Sequence, residues 1–371
     1  MRRYLSVLVV VLLLALLAGC RTSASTAGKA PARELRLAYA KGFKIEYLEK
    51  GCKLVTDGDG KKLLLCPRGE KPPAGYENIP VVYTPVKRVV VLSTTQAALL
   101  KPLGELGSIV GVSTPAKDWY IPEVKRGIEE GRITYLGKLE ALDYEKVLAL
   151  KPDVVFTYTK AMGGDQAAAR LRELGVPVAV DNEWLEENPL GRLEWIKFLA
   201  AFYDKGKEAE SFFAQAEKRV RELADKLKDV PRTKVVWVNI WGGKVYVPRG
   251  NSYTAQLIAM AGGDYLMKNL EGVGSAQITP EEFYQKAREA EVMIYASSPN
   301  YGTKSVKDIL KQAPLWKDLP AIQQDRVYCL APDYWQSLDE LTQQLQDLAA
   351  IFHPDMFPGH KTEQFLKLPK E

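Results

Sequence analysis

The chain opens on an apolar run, Leu5 to Leu17, and beyond residue 32 the hydrophobic positions become periodic. Arg2 and Arg3 precede the run, and Leu17-Ala18-Gly19-Cys20 ends it. A charged start, an apolar middle and small residues before a cleavage point form a secretory signal, and the run is short for a membrane span. Residues 21–32 are small and polar and read as a flexible tether. Three alternating segments follow, Phe43–Leu48, Lys53–Thr56 and Lys62–Leu65, the last two separated by a turn at Asp57-Gly58-Asp59-Gly60. Period-two alternation broken by Asp-Gly predicts a small β-meander, with Thr56 paired to Lys61.

From Arg88 the pattern changes. The buried strand Arg88–Ser93 is followed by a helix from Thr95 to Leu103, strands at Ser108–Val112 and Ile133–Leu136, and a helix from Tyr144 to Leu150. A strand at Asp153–Tyr158, a helix at Gln166–Leu174 and a strand at Val176–Val180 complete the series. Strands alternating with helices predict an α/β lobe on a mostly parallel sheet. Asn188-Pro189 then starts a helix reaching about Tyr203, with Asn as cap and Pro in the first turn. A second helix runs from about Lys205 to Leu227, with Phe212, Ala216, Val220, Leu223 and Leu227 on one stripe. After Asp229-Val230-Pro231 the α/β alternation resumes and closes with a helix over Leu338–Phe352. The expected organisation is signal peptide 1–19, acylated cysteine and tether 20–37, β-hairpin extension 38–75, first α/β lobe 76–204, linking helix 205–229 and second α/β lobe 230–371. The fold class is α/β, two Rossmann-like lobes joined by one long helix.

Composition sharpens this only in part. With 371 residues there is chain enough for two lobes, and 26% charged residues mark an ordinary globular protein. The net charge of +5 is dispersed, with no basic stripe and no nucleic-acid motif, so a nucleic-acid partner is not expected. Leu-Ala-Gly-Cys resembles a bacterial lipobox, which implies diacylation of Cys20 and a membrane anchor. Cys52 and Cys66 flank the hairpin turn nearly opposite one another, and an oxidising compartment would permit a disulfide between them; two free thiols are the alternative. Cys329 reads as a buried strand residue. No Gly-x-Ser-x-Gly elbow, phosphate loop or dinucleotide fingerprint is present, which disfavours an enzyme. One internal echo stands out. Leu142-Asp143-Tyr144-Glu145 and Ile278-Thr279-Pro280-Glu281 each lead a helix and then a strand, each with a capping residue two positions before a glutamate. Helix capping alone accounts for one such glutamate; the same device in both lobes points to a shared role.

Four segments carry a family resemblance: Pro85–Val91, Leu142–Val155 with its Leu-Lys-Pro-Asp-Val-Val end, Ala261-Gly262-Gly263-Asp264, and His353–Pro358. Over about residues 80–360 the chain resembles the helical-backbone solute-binding proteins that serve ABC importers for ferric siderophores, haem and cobalamin. The extension beginning at Tyr39 departs from the better-known members. The resemblance implies two α/β lobes around a ligand cleft, a monomer, a permease partner, and one rim glutamate per lobe that docks on permease arginines, here Glu145 and Glu281. It implies a ferric siderophore or similar chelate as ligand, with haem or a corrinoid as alternatives, and an extracytoplasmic, lipid-anchored receptor. A surface enzyme or chelatase on the same scaffold is the reading from another class.

Ligand groups in such folds lie on loops at the C-terminal ends of strands. The candidates there are Thr94, Thr95, Gln96, Trp119, Tyr120, Tyr158, Lys160, Trp184, Trp241, Arg249, Tyr253, Ser298, Tyr301 and Trp335. Their aromatics suit a large ligand with polar edges, and Lys160 and Arg249 could meet its carboxylates. A bare metal site wants clustered histidines and carboxylates; His353 and His360 are the only histidines and lie past the cleft segments. No bound metal or cofactor is expected.

Overall fold

The computed structural model describes residues 33–161 and 163–371. The signal sequence, Cys20 and most of the tether lie outside these residues. The description below concerns the compact unit Glu34–Glu371.

The extension folds as a small sheet. Lys44–Tyr47, Lys53–Thr56 and Lys62–Pro67 run antiparallel in succession, and Val81–Thr84 joins parallel to the third. Thr56 pairs with Lys62, not Lys61. The turn is one residue longer than the Asp-Gly signal suggests because Asp57 folds it: its carboxylate accepts Asp59 N and Lys61 N. The corrected register aligns Cys52 with Cys66. Both are fully buried and stand as free thiols in hydrogen-bond contact, with no disulfide between them. Burial, then the Cys52 thiol, push the Cys66 thiol up to about 12.

The first lobe is built on a parallel sheet in the order Val178–Val180, Val154–Thr157, Val89–Val91, Ile109–Val112, Thr134–Tyr135. Val89–Val91, Val154–Thr157 and Val178–Val180 are buried throughout, as short apolar runs covered on both faces must be. The second sheet runs Ser275–Ile278, Lys244–Pro248, Thr233–Trp241, Val292–Tyr295, Val327–Leu330, Phe365–Lys367, with Gly263–Tyr265 also beside Thr233–Trp241. It is parallel at its centre and antiparallel at both edges. Cys329 is buried in one of its strands.

Between the sheets the chain makes three helical segments, Pro189–Glu194, Ile196–Tyr203 and Gly206–Leu227. Asn188 caps the first through Leu190 N. Every residue of Pro189–Glu194 is buried. The long helix buries Ala209, Phe213, Ala216, Val220, Leu223 and Leu227. Phe213, not Phe212, heads the stripe, because Tyr39 of the extension packs on its ring at 6.0 Å. Among the described residues no helix is long and apolar enough to cross a membrane.

Candidate functional site

Two clusters bridge the lobes, and only part of the expected set belongs to them. The first begins at the end of Val89–Val91. Ser93 caps the helix Thr94–Leu100, and Gln96 Oε1 reaches back to Leu92 N and Ser93 N in a capping box. Thr95 exchanges a hydroxyl hydrogen bond with Ser93 at 2.8 Å. These bonds fix the loop so that Thr94 Oγ1 donates across to Trp335 O at 3.3 Å. Tyr120 N donates to Gln336 Oε1 at 2.8 Å, and Gln336 Nε2 returns a bond to Asp118 O at 2.7 Å. Asn300 bonds the Tyr120 hydroxyl, and Tyr301 stands near Asp118 and Tyr120. Ser298 is buried, and its hydroxyl accepts Asn300 N, so it shapes this loop without facing a ligand. The rim therefore unites Thr94, Tyr120, Tyr301 and Trp335; Tyr301 is 70% exposed and Trp335 45%. Burial, then Asp118 and Tyr120, push the Tyr301 phenol up; like any ordinary phenol it is a hydrogen-bond donor at neutral pH. Beside this rim Lys101 reaches Asp339 and Glu340, each at 2.9 Å.

The second cluster is deeper. Arg192 pairs with Glu183 at 2.6 Å, and both side chains are almost fully buried. The guanidinium lies over the Tyr253 ring, 4.1 Å from its centroid. Tyr253 opens the helix Tyr253–Met260 of the second lobe, and Ser252 caps it through Ala255 N. Asp181 shares this region: burial first, then Glu183, raise its carboxyl well above the usual range. Asp181 Oδ2, the indole N–H of Trp184 and Gln96 Nε2 are buried without hydrogen-bond partners among the described residues. Glu183 sits beside Trp184 on a loop whose place at a strand end marks it as a candidate, but Arg192 escaped sequence reasoning as a site residue. Nothing local marks it, since an Arg nine residues from a Glu is ordinary on any surface.

Other expected residues do not join these clusters. Trp119 is 2% exposed, with its indole N–H donating to Thr114 O at 2.9 Å; it is a core residue of the first lobe. Tyr158 is half-buried against the apolar cluster on one face of the first sheet. Lys160 is an exposed turn residue at φ 65° whose N–H binds Asp165. Arg249 gives Nη1 to Glu271 O at 2.8 Å, holding its own loop. Trp241 is 70% exposed at the tip of a hairpin whose turn places Gly242 and Gly243 at φ 57° and 74°. That left-handed pair favours glycine and fixes the register Trp241 to Lys244.

Glu145 and Glu281 are exposed in the first turns of Tyr144–Leu150 and Pro280–Ala287. Asp143 caps one helix through Lys146 N, and Thr279 the other through Glu282 N. Neither glutamate makes an ion pair among the described residues. His353 caps the end of Leu341–Phe352 and its ring lies 3.2 Å from Gly262 O; His360 binds Asp347 at 2.7 Å. A cavity of about 490 Å³, lined by Tyr328, Ile351, Phe357 and His360 among others, lies by that second histidine and involves none of the expected ligand residues.

A match to the periplasmic binding protein family model covers residues 89–334. An uncharacterized lipoprotein of Methanocaldococcus jannaschii is 33% identical over 89% of this chain and 85% of its own length. The iron-uptake system-binding protein of Bacillus subtilis is 26% identical over 51% of this chain and 58% of its own. A periplasmic heme-binding protein from Pseudomonas aeruginosa superposes with a TM-score of 0.62 at 23% identity, covering 77% of this chain and 99% of that one. The chain belongs to the periplasmic binding protein family.

Proposed function

We propose that this protein is an extracytoplasmic, lipid-anchored receptor that captures a ferric siderophore or similar iron chelate between its lobes and passes it unaltered to an ABC permease. The observation that carries the reading is the inter-lobe rim of Tyr120, Tyr301 and Trp335, which offers flat apolar faces and neutral hydrogen-bonding tips. Such surfaces suit a bulky ligand with polar edges. Both histidines are engaged away from this rim, which favours a metal arriving already chelated. The iron-uptake function named for the Bacillus subtilis relative supports the same class. Diacylation of Cys20, in keeping with the lipoprotein relative, would hold the receptor at the membrane. The protein performs no covalent chemistry on its cargo.

Tryptophan-fluorescence titration with a ferric trihydroxamate, a ferric catecholate, haemin and cobalamin tests the ligand. Saturable quenching at about micromolar concentration or tighter is expected with a ferric siderophore. Haemin or cobalamin alone quenching would move the assignment to a tetrapyrrole, and silence from all of them would end it.

Glu145 and Glu281 are proposed as the docking pair. They are exposed, uncompensated and sit one per lobe at capped helix starts. Exposed charges steer encounter more than they add affinity. The double substitution Glu145→Arg/Glu281→Arg is therefore expected to lower uptake in reconstituted vesicles by about tenfold or more, with chelate affinity unchanged. A parallel loss of affinity would place these residues in the cleft instead.

A further inference from the structure

The extension outside the family match grips the two segments that carry the Glu183–Arg192 pair, through residues on either side of Glu183 and two positions past Arg192. On one side its turn docks on the end of the edge strand Val178–Val180. Gly58 N donates to Val180 O at 2.8 Å, and Val180 N donates back to Asp57 Oδ2 at 3.0 Å. Asn182 Nδ2 adds a bond to Gly58 O at 3.1 Å. The fit is close: a Cβ on Gly58 would lie 2.9 Å from Asn182 Cβ. Glu183 comes next in the chain, and three residues on, Glu186 Oε1 accepts Lys41 N and Gly42 N at 2.8 and 2.9 Å. The loop that carries Glu183 is thus pinned by the extension at both ends.

On the other side stands the buried helix Pro189–Glu194. Glu194 accepts Ala38 N, Tyr39 N and Ala40 N at 2.9, 2.8 and 2.9 Å. Two residues apart on a helix, Arg192 and Glu194 point to nearly opposite sides. One carboxylate therefore grips the extension while the guanidinium two positions earlier meets Glu183 and Tyr253.

We infer that the N-terminal extension is a positioning element for the floor of the ligand cleft, acting through Asp57, Glu186 and Glu194 to hold Glu183 and Arg192 in register with Tyr253 of the second lobe. A buried ion pair tolerates little misplacement, and sites of this kind work only when the supporting residues are fixed. Lysines or hydroxyls on a surface sheet would suffice for solubility; two buried carboxylates spent on main-chain N–H groups of the extension mark a geometric task. The inference rests on the receptor reading for its effect on affinity, but not for its effect on the floor itself.

The test uses the full chain with Asp57→Asn and, separately, Glu194→Gln. Each amide keeps the side-chain shape but turns one oxygen into a donor facing donors. Hydrogen exchange of segments 181–186 and 189–194 is expected to accelerate about tenfold in each variant, with the strand Val292–Tyr295 unchanged. The dissociation constant for whichever chelate the wild type binds is expected to rise about tenfold, as for supporting residues around other sites. Should one variant fail to fold, the other decides. Unchanged exchange in both segments, or acceleration spread evenly over the whole chain, would overturn the inference. If the wild type binds none of the four chelates, the receptor reading fails while the exchange measurement still judges the extension.

Discussion

Arg192→Met is expected to lower the free energy of unfolding by about 3–5 kcal/mol, measured by urea titration at neutral pH. The substitution keeps a side chain of similar length, so little packing is lost. What it removes is the partner of Glu183, whose side chain is only 4% exposed. An uncompensated buried carboxylate is expensive, and no other cation pairs with it among the described residues. The cation–π contact to Tyr253 goes too, worth about 0.5–2 kcal/mol where desolvated. The double variant Glu183→Gln/Arg192→Met should recover much of the loss, because a buried pair is costly to break but cheap to replace whole. A deficit below about 1 kcal/mol in the single variant would mean that the pair is solvated in solution.

Glu194→Ala is expected to cost a similar amount, about 3–5 kcal/mol, and to do so with a defined pH dependence. The Glu194 side chain is 0% exposed, binds Lys197 at 2.8 Å and accepts three main-chain N–H groups. Removing it leaves the buried N–H of Ala40 without its acceptor and releases the segment Ala38–Ala40. Burial raises the Glu194 carboxyl, but the bonds from Lys197, Ala38, Ala40 and Tyr39 outweigh it and hold the group below the ordinary glutamate value of 4.5. The unfolded chain therefore binds the proton more readily than the folded one. Stability from this group is present in full above the ordinary glutamate range and is lost as pH falls through the lowered folded value. The gap between wild type and variant should accordingly be constant at neutral pH and narrow in acid below about pH 4. A gap that widens in acid would contradict the assignment of these bonds.

These cases also show which features a single sequence exposes. Asp143, Thr279, Asn188 and Ser93 lie beside the groups they cap, and such bonds span two to four residues. Periodicity located the long helix and both sheets for the same reason. Phase was harder: Phe212 and Phe213 fit the stripe almost equally, and a contact from Tyr39 chose between them. Tryptophans at predicted strand ends look alike in sequence, yet Trp119 is core and Trp335 is rim. That difference is tertiary: Trp119 packs into the apolar core, where a carbonyl at Thr114 meets its indole N–H.

The order of strands and helices, the α/β class, the helical link and the twin capped glutamates were set by residues close together in the chain, where local geometry dictates the outcome. The contacts between extension and lobe, and between lobe and lobe, were not. Glu194 meets the extension across 154 to 156 positions, Asn182 meets Gly58 across 124, and Thr94 meets Trp335 across 241. Such contacts depend on how whole sheets pack against one another, and no pattern within a window of a few turns encodes that packing.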